Sequence, residues 1–141
     1  MTLDRARAVT VTEHGGPDVL QVRRVPIAPV GPGQLLIDVA ASGVNFIDVY
    51  QREGIYPGHV PFGLGIECAG RVLAAGADVT EFGVGDVIAT ADGSATHADV
   101  ARVTAAACVP VPPGLAPELA AAAMLQGMTA HYLINSTFAV N

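Results

Sequence analysis

The sequence predicts a mainly β domain with short helices, an α+β fold whose strands form a partly open β-barrel. Three observations carry this. About seven short runs of β character recur at spacings near ten residues. They are separated by turn residues, 16 Gly and 10 Pro in all, which punctuate local structure. One early stretch and the Ala-rich C-terminal part then change to a helical period.

The elements follow in order. Arg7 to Glu13 (RAVTVTE) alternates as a strand, His14 to Asp18 makes a turn, and Val19 to Val25 returns as a second strand. Pro26, Pro29 and Pro32 mark an extended loop before the longer strand Gln34 to Ala41. Over Asn45 to Arg52 the period changes: Phe46, Val49 and Tyr50 fall at i, i+3 and i+4, the stripe of a short helix. Asn45 is a good N-cap, Asp48 supplies the acidic half of a capping box, and Gly54 ends the helix. Ile55 to Leu64 reads as a loop. Ile66 to Ala74 (IECAGRVLA) reads as a strand buried on both faces. A tight turn at Gly83 to Asp86 leads into the strand Val87 to Thr90. Further strands are expected over Ala95 to Val103 and Cys108 to Val111. Pro117 opens a helix to Met124, and a second helix is expected over Thr129 to Thr137.

Composition bounds the function. At 141 residues, 51% apolar and 14% charged, the chain has enough for one core and is too short for two ordinary domains. No apolar run approaches the roughly 20 residues of a membrane helix, and the N-terminus lacks a secretory pattern. The expectation is a cytoplasmic protein that meets no membrane. All seven basic residues are Arg, against thirteen acidic residues, a net charge of −6. That excludes a Schiff-base or P-loop lysine and leaves no basic stripe for nucleic acid. Cys68 and Cys108 form no CxxC pair and read as two buried thiols of a reducing compartment.

Several chemistries fail on spacing. Gly63-Leu64-Gly65-Ile66-Glu67-Cys68 approaches a dinucleotide fingerprint, but Cys68 replaces the third Gly and the run enters a strand, so no helix N-terminus receives a pyrophosphate. His14, His59, His97 and His131 are scattered without a metal-binding spacing, and a loop histidine such as His14 or His59 is ordinarily solvated. Ser42, Ser94 and Ser136 lack a nucleophile elbow. A cluster remains: Asn45, Asp48, Tyr50, Glu67 and the segment Leu125-Gln126-Gly127-Met128-Thr129. Asn45 reads equally as an N-cap or a functional amide, and Asp48 as a brace for the helix start. Tyr50 fits a rim position with its hydroxyl in water. Glu67 lies inside an apolar strand, so it is either a paired structural acid or part of a site. Gln126 and Thr129 stand at a helix junction and can satisfy local backbone groups.

Gly43-Val44-Asn45-Phe46-Ile47-Asp48-Val49-Tyr50, followed by Gly63-Leu64-Gly65-Ile66-Glu67-Cys68-Ala69-Gly70, resembles the quinone oxidoreductases, zinc-independent members of the medium-chain dehydrogenase/reductase superfamily. His14 to Leu20, Gly85-Asp86-Val87 and Leu125 to Ala130 are similar to that family in the same order, so the resemblance covers nearly the whole chain. In the zinc alcohol dehydrogenases a Cys ligand occupies the place of Asn45, and a His ligand that of Ile66. Neither residue here suits zinc, so no metal is expected.

The resemblance implies a GroES-like catalytic domain over residues 1–124, with residues 125–141 a helical connection toward a nucleotide-binding (Rossmann) domain. It implies NADPH as cofactor, hydride transfer to a small-molecule quinone, and a homodimeric full-length form. Asn45 and Tyr50 are the implied catalytic residues, and Asn45, Gln126, Met128 and Thr129 the implied cofactor contacts. The family's phosphate-binding segment follows the point where this chain ends, at Asn141. The expectation is therefore a fragment, inactive alone and binding NADPH weakly or not at all. Two other readings stay open: an enoyl-thioester or alkenal reductase of the same superfamily, and a non-enzymatic GroES-like binding or oligomerising module.

Overall fold

A computed structural model describes residues 4–138. Strands β1 (Arg5–Val11), β2 (Leu20–Pro26) and β4 (Phe62–Gly63) form an antiparallel sheet in the order β2-β1-β4. Strands β3 (Gln34–Gly43), β5 (Glu67–Ala75), β6 (Val87–Thr90), β7 (Val100–Thr104) and β8 (Cys108–Pro110) form a second, in the order β7-β3-β5-β6-β8. An isolated bridge between Ala8 and Ala98 joins the two sheets, and β7 and β8 remain edges. The result is the mainly β, partly open barrel that the strand spacing implies.

Leu35 and Ile37 of β3, Val72 of β5, Ile88 of β6 and Val103 of β7 meet in the main core, each at most 3% exposed. The alternation along β3 and β7 puts these residues on one face. A second, smaller core is made of alanines. Ala120 and Ala121 of helix α2 (Pro117–Tyr132) lie against Ala69 of β5 and Ala89 of β6. Small side chains on both partners let the helix approach the sheet closely. Among the described residues no helix is long and apolar enough to cross a membrane.

The structure corrects several sequence-based expectations. Ala95–Val103 is not one strand: β7 starts only at Val100, because Ala95 takes φ 58° and the segment after it is shared between the sheets. His97 N–H donates to Leu64 O, Val9 N–H to His97 O, and Val39 N–H to Asp99 O, at 2.8–2.9 Å. The supposed loop Ile55–Leu64 contributes β4, which pairs with Thr10 and Val11. Strand β5 is buried on both faces only from Glu67 to Gly70, where α2 covers it; Arg71 and Leu73 are exposed. The two expected C-terminal helices are one continuous α2, followed by a π-helical turn at Leu133–Thr137. Gly127 does not interrupt it, since a helical Gly costs only about 1 kcal/mol relative to Ala.

Candidate active site

Helix α1 (Phe46–Glu53) starts where β3 leaves the sheet. Asn45 is its N-cap in an extended conformation, and the Asn45 backbone N–H donates to Asp48 Oδ2 at 2.8 Å. Gly54 closes the helix at φ 77°, in the left-handed region that favours glycine. Asp48 thus braces the helix start, as its spacing suggests. The apolar stripe points the other way from a core stripe: Asp48 and Arg52 are the buried residues of α1, whereas Phe46 is 78% exposed. Arg52 is held inside by donating from Nε to Gly15 O at 3.0 Å, with Glu53 at 2.7 Å. Polar partners, rather than apolar contact, dock this helix.

The Asn45 side chain forms the other half of the capping box, facing the Asp48 N–H, and it also has partners outside the helix. Asn45 Nδ2 donates to Glu67 Oε2 at 2.8 Å. Glu67 is wholly buried at the start of β5, and its Oε1 accepts the Leu125 N–H of α2 at 2.6 Å. Gly43 makes room, because a Cβ there would overlap Glu67 Oε2. Gln126 completes the group. Its Nε2 donates to Asn45 Oδ1 at 2.6 Å and lies 3.4 Å from Glu67 Oε2. The turned-over amide would donate to Ala122 O at 2.9 Å and to Glu67 Oε1 at 3.2 Å, and would set its oxygen 2.6 Å from Asn45 Oδ1. With nitrogen toward Asn45 that contact is a hydrogen bond, and the Gln126 oxygen then faces Ala122 O and Glu67 Oε1; in either orientation Gln126 closes over Asn45 and Glu67. A buried carboxylate is tolerable when several N–H donors surround it, and that is the environment of Glu67.

Asn45, Phe46 and Ile47 form one wall of an open, largely apolar cavity of about 540 Å³, and Leu125, Gln126, Thr129 and Leu133 the other. The structure therefore brings together Asn45, Glu67, Gln126 and Thr129 of the residues singled out in the sequence. Tyr50 stands apart, packed edge-on against Tyr56 at 5.7 Å and beside Phe46 at 6.3 Å. Met128 lines a separate hollow with Cys108, Val109 and Met124. His14 is not simply solvated: its Nδ1 lies 3.3 Å from Arg52 O.

Zinc does not fit this site. The Asn45 amide is engaged at both ends, Ile66 has no lone pair to offer, and both Glu67 oxygens accept N–H groups. The cavity instead pairs apolar walls with amide and hydroxyl side chains at one edge, the lining of a site for an organic ligand. Sequence reading missed three polar residues behind the site. Ser42 Oγ donates to Glu67 O at 2.8 Å, and buried Thr96 Oγ1 does so at 3.1 Å. His97, its side chain 12% exposed, places Nδ1 2.7 Å from Ser42 Oγ and Nε2 3.4 Å from Asp48 Oδ2. No local spacing links Ser42, Asp48 and His97, so only tertiary contacts could reveal them.

A profile of the alcohol dehydrogenase GroES-like domain family matches residues 31–137. A quinone oxidoreductase of Pseudomonas aeruginosa is 40% identical over 135 residues, covering 94% of this chain and 42% of that protein. Quinone oxidoreductase 1 of Escherichia coli is 34% identical over 137 residues, covering 96% of this chain and 42% of that protein. The solved structure of Escherichia coli quinone oxidoreductase complexed with NADPH superposes with a TM-score of 0.87 at 34% identity, over 96% of this chain and 42% of that one. The quinone oxidoreductase of Pseudomonas syringae gives a TM-score of 0.93 at 38% identity, with the same coverage of both chains. The chain thus spans less than half the length of these relatives.

Proposed function

The chain belongs to the alcohol dehydrogenase GroES-like domain family, with quinone oxidoreductases among its relatives, and from that premise we propose that it is the catalytic domain of a zinc-independent, NADPH-dependent quinone reductase. The observation that supports this most is the Asn45 amide, fixed by Glu67 and Gln126 at the edge of an open apolar cavity.

Bound NADPH would supply the hydride; the residues of this chain supply orientation and apolar contact. Ile47, Leu125 and Leu133 give a flat ring apolar walls to lie against. Asn45, held rigidly on both sides, orients the nicotinamide against the quinone. Gln126 and Thr129 border the cofactor from α2. Tyr50, on α1 beside Phe46, lies outside the cavity lining and would reach the reduced quinone only from the rim. Met128, in its separate hollow, takes no part in this reading. Residues 1–124 form the substrate-covering domain and 125–141 the connection to a nucleotide-binding domain, with α2 continuous across the boundary. In this reading the phosphates are held by the nucleotide-binding domain, so fluorescence titration of residues 1–141 should give NADPH binding weaker than micromolar; submicromolar binding would count against this division of labour.

The decisive assay measures NADPH oxidation by the whole protein with 1,4-benzoquinone and with a 2-enoyl thioester. Quinone-dependent turnover is expected. Turnover of the thioester alone would replace this reading by an activated-alkene reductase.

A further inference from the structure

The Asn45 amide rests on the Glu67 carboxylate, so whatever fixes Glu67 also fixes Asn45. Residues 93–99, which lead into β7, lie behind Glu67 and meet four consecutive carbonyls. His97 N–H donates to Leu64 O at 2.9 Å, Thr96 N–H to Gly65 O at 3.2 Å and Gly93 N–H to Ile66 O at 2.7 Å. The fourth, Glu67 O, is reached by a side chain, the Thr96 hydroxyl at 3.1 Å. Every residue except proline carries a backbone N–H, so the first three contacts select no side chain. The fourth does.

The backbone is shaped around Thr96. Ala95 takes φ 58°, uncommon for a residue with a Cβ, and Thr96 after it is wholly buried. Both arms of the Thr96 side chain meet a glycine. A Cβ at Gly93 would lie 2.5 Å from Thr96 Cγ2, and one at Gly65 would lie 2.6 Å from Thr96 Oγ1. Ser42 Oγ also stands 2.8 Å from Glu67 O, but its single hydrogen has other acceptors in His97 Nδ1 at 2.7 Å and Thr96 Oγ1 at 3.1 Å. Among the described residues Thr96 Oγ1 has only Glu67 O and Ser42 Oγ. When Ser42 turns to His97, Thr96 is the hydroxyl left to serve Glu67 O.

We propose that Thr96 is a positioning residue for Asn45: its hydroxyl holds the peptide that follows Glu67, and so sets the direction from which the Glu67 carboxylate receives the Asn45 amide. The path is short. Thr96 fixes Glu67 O, and the Glu67 backbone fixes where its side chain starts. Glu67 Oε2 then takes Asn45 Nδ2, and Oε1 the Leu125 N–H. Thr96 does not line the cavity, so it acts only through Glu67. The kinetic consequence rests on the proposed reductase; the structural one does not.

The test separates the two arms of Thr96. Thr96→Val keeps the shape and removes the hydroxyl, whereas Thr96→Ser keeps the hydroxyl and removes the methyl. In the whole protein Thr96→Val should lower kcat for quinone roughly tenfold, with KM for NADPH unchanged. Thr96→Ser should keep kcat near wild type while lowering the urea midpoint; a purely structural residue would make activity follow stability instead. Wild-type kcat in Thr96→Val overturns the proposal, as does a Thr96→Ser as slow as Thr96→Val. If Thr96→Val does not fold, Thr96→Ala against Thr96→Ser compares the hydroxyl with the methyl absent from both, and equal kcat overturns the proposal. In the ¹⁵N-asparagine-labelled chain, the Asn45 side-chain NH₂ signals should move in Thr96→Val and return in Thr96→Ser, with Asn135 unmoved in both. Asn45 signals unchanged by Thr96→Val overturn the structural link. No quinone turnover by the wild type would strike the proposed function and leave this NMR comparison to decide the link.

Discussion

Asn45 takes its identity from three demands at once: an extended N-cap, a donor for Glu67 and an acceptor for Gln126. Only an amide side chain of this length meets the last two together. In the proposed reductase Asn45→Ala should lower kcat/KM for quinone, and leaving a Glu67 oxygen short of a donor should cost about 1–3 kcal/mol in urea unfolding. Glu67→Gln sets one NH₂ group against Asn45 Nδ2 or the Leu125 N–H, and a loss of similar size is expected; a neutral result would mean that these donors do not depend on the Glu67 carboxylate. The cysteines give a separate check. Burial pushes the Cys68 thiol up to about 12, with Cys108 and Glu67 adding to the shift, and the Cys108 thiol up to about 11. Thiolate is the reactive form, so at pH 8 Ellman's reagent should leave Cys68 unlabelled until the protein unfolds, whereas Cys108, half-buried and not buried as the sequence suggests, should label slowly. Asn45 and Glu67 were legible in the sequence because one caps a helix and the other is a charge in an apolar run. Ser42 and His97 were not, since each matters only through residues distant in the chain.

At the level of the element, α1 shows where pattern reading misleads. The i, i+3, i+4 spacing located the helix and both caps, yet the buried face is Asp48 and Arg52. Period reports a helix; it does not report which side has partners. Arg52→Met should retain the packing of the stem but strand Gly15 O, destabilising by about 1–3 kcal/mol in denaturant titration. Equal stability would mean that water replaces the guanidinium. Helix α2 errs the other way. Its composition read as a helix, but Gln126-Gly127 suggested a break that the backbone does not make. Its contact with the sheet depends on small residues, so Ala121→Leu should cost about 1–3 kcal/mol by overpacking against Ala69 and Ala89.

For the molecule as a whole, the strand spacing announced a barrel, whereas the junction between the sheets depends on pairings no local signal encodes. The exposed Arg7–Asp99 pair lies on that junction, with Arg7 Nε 2.9 Å from Asp99 Oδ2. The hydrogen bonds and charge of Arg7 hold the Asp99 carboxyl below its usual range. The folded protein therefore binds that proton less readily than the unfolded chain. The pair adds stability above the unfolded pKa and loses it as pH falls through the folded one. Asp99→Asn should flatten the acid limb of a stability–pH curve, and superimposable curves would assign the junction to backbone bonds alone. One further consequence concerns α2 as a beam. Up to Leu125 it is clamped, by Ala120 and Ala121 on the sheet and by Glu67 on the Leu125 N–H; from Gln126 to Phe138 every residue is exposed. Its root sits beside Asn45, so the turn that brings Gln126 to that amide also sets the direction in which Thr129 and Leu133 line the cavity. The small alanines on the sheet therefore aim one wall of the cleft: a bulkier residue at Ala120 or Ala121 tilts Gln126, Thr129 and Leu133 together relative to Asn45.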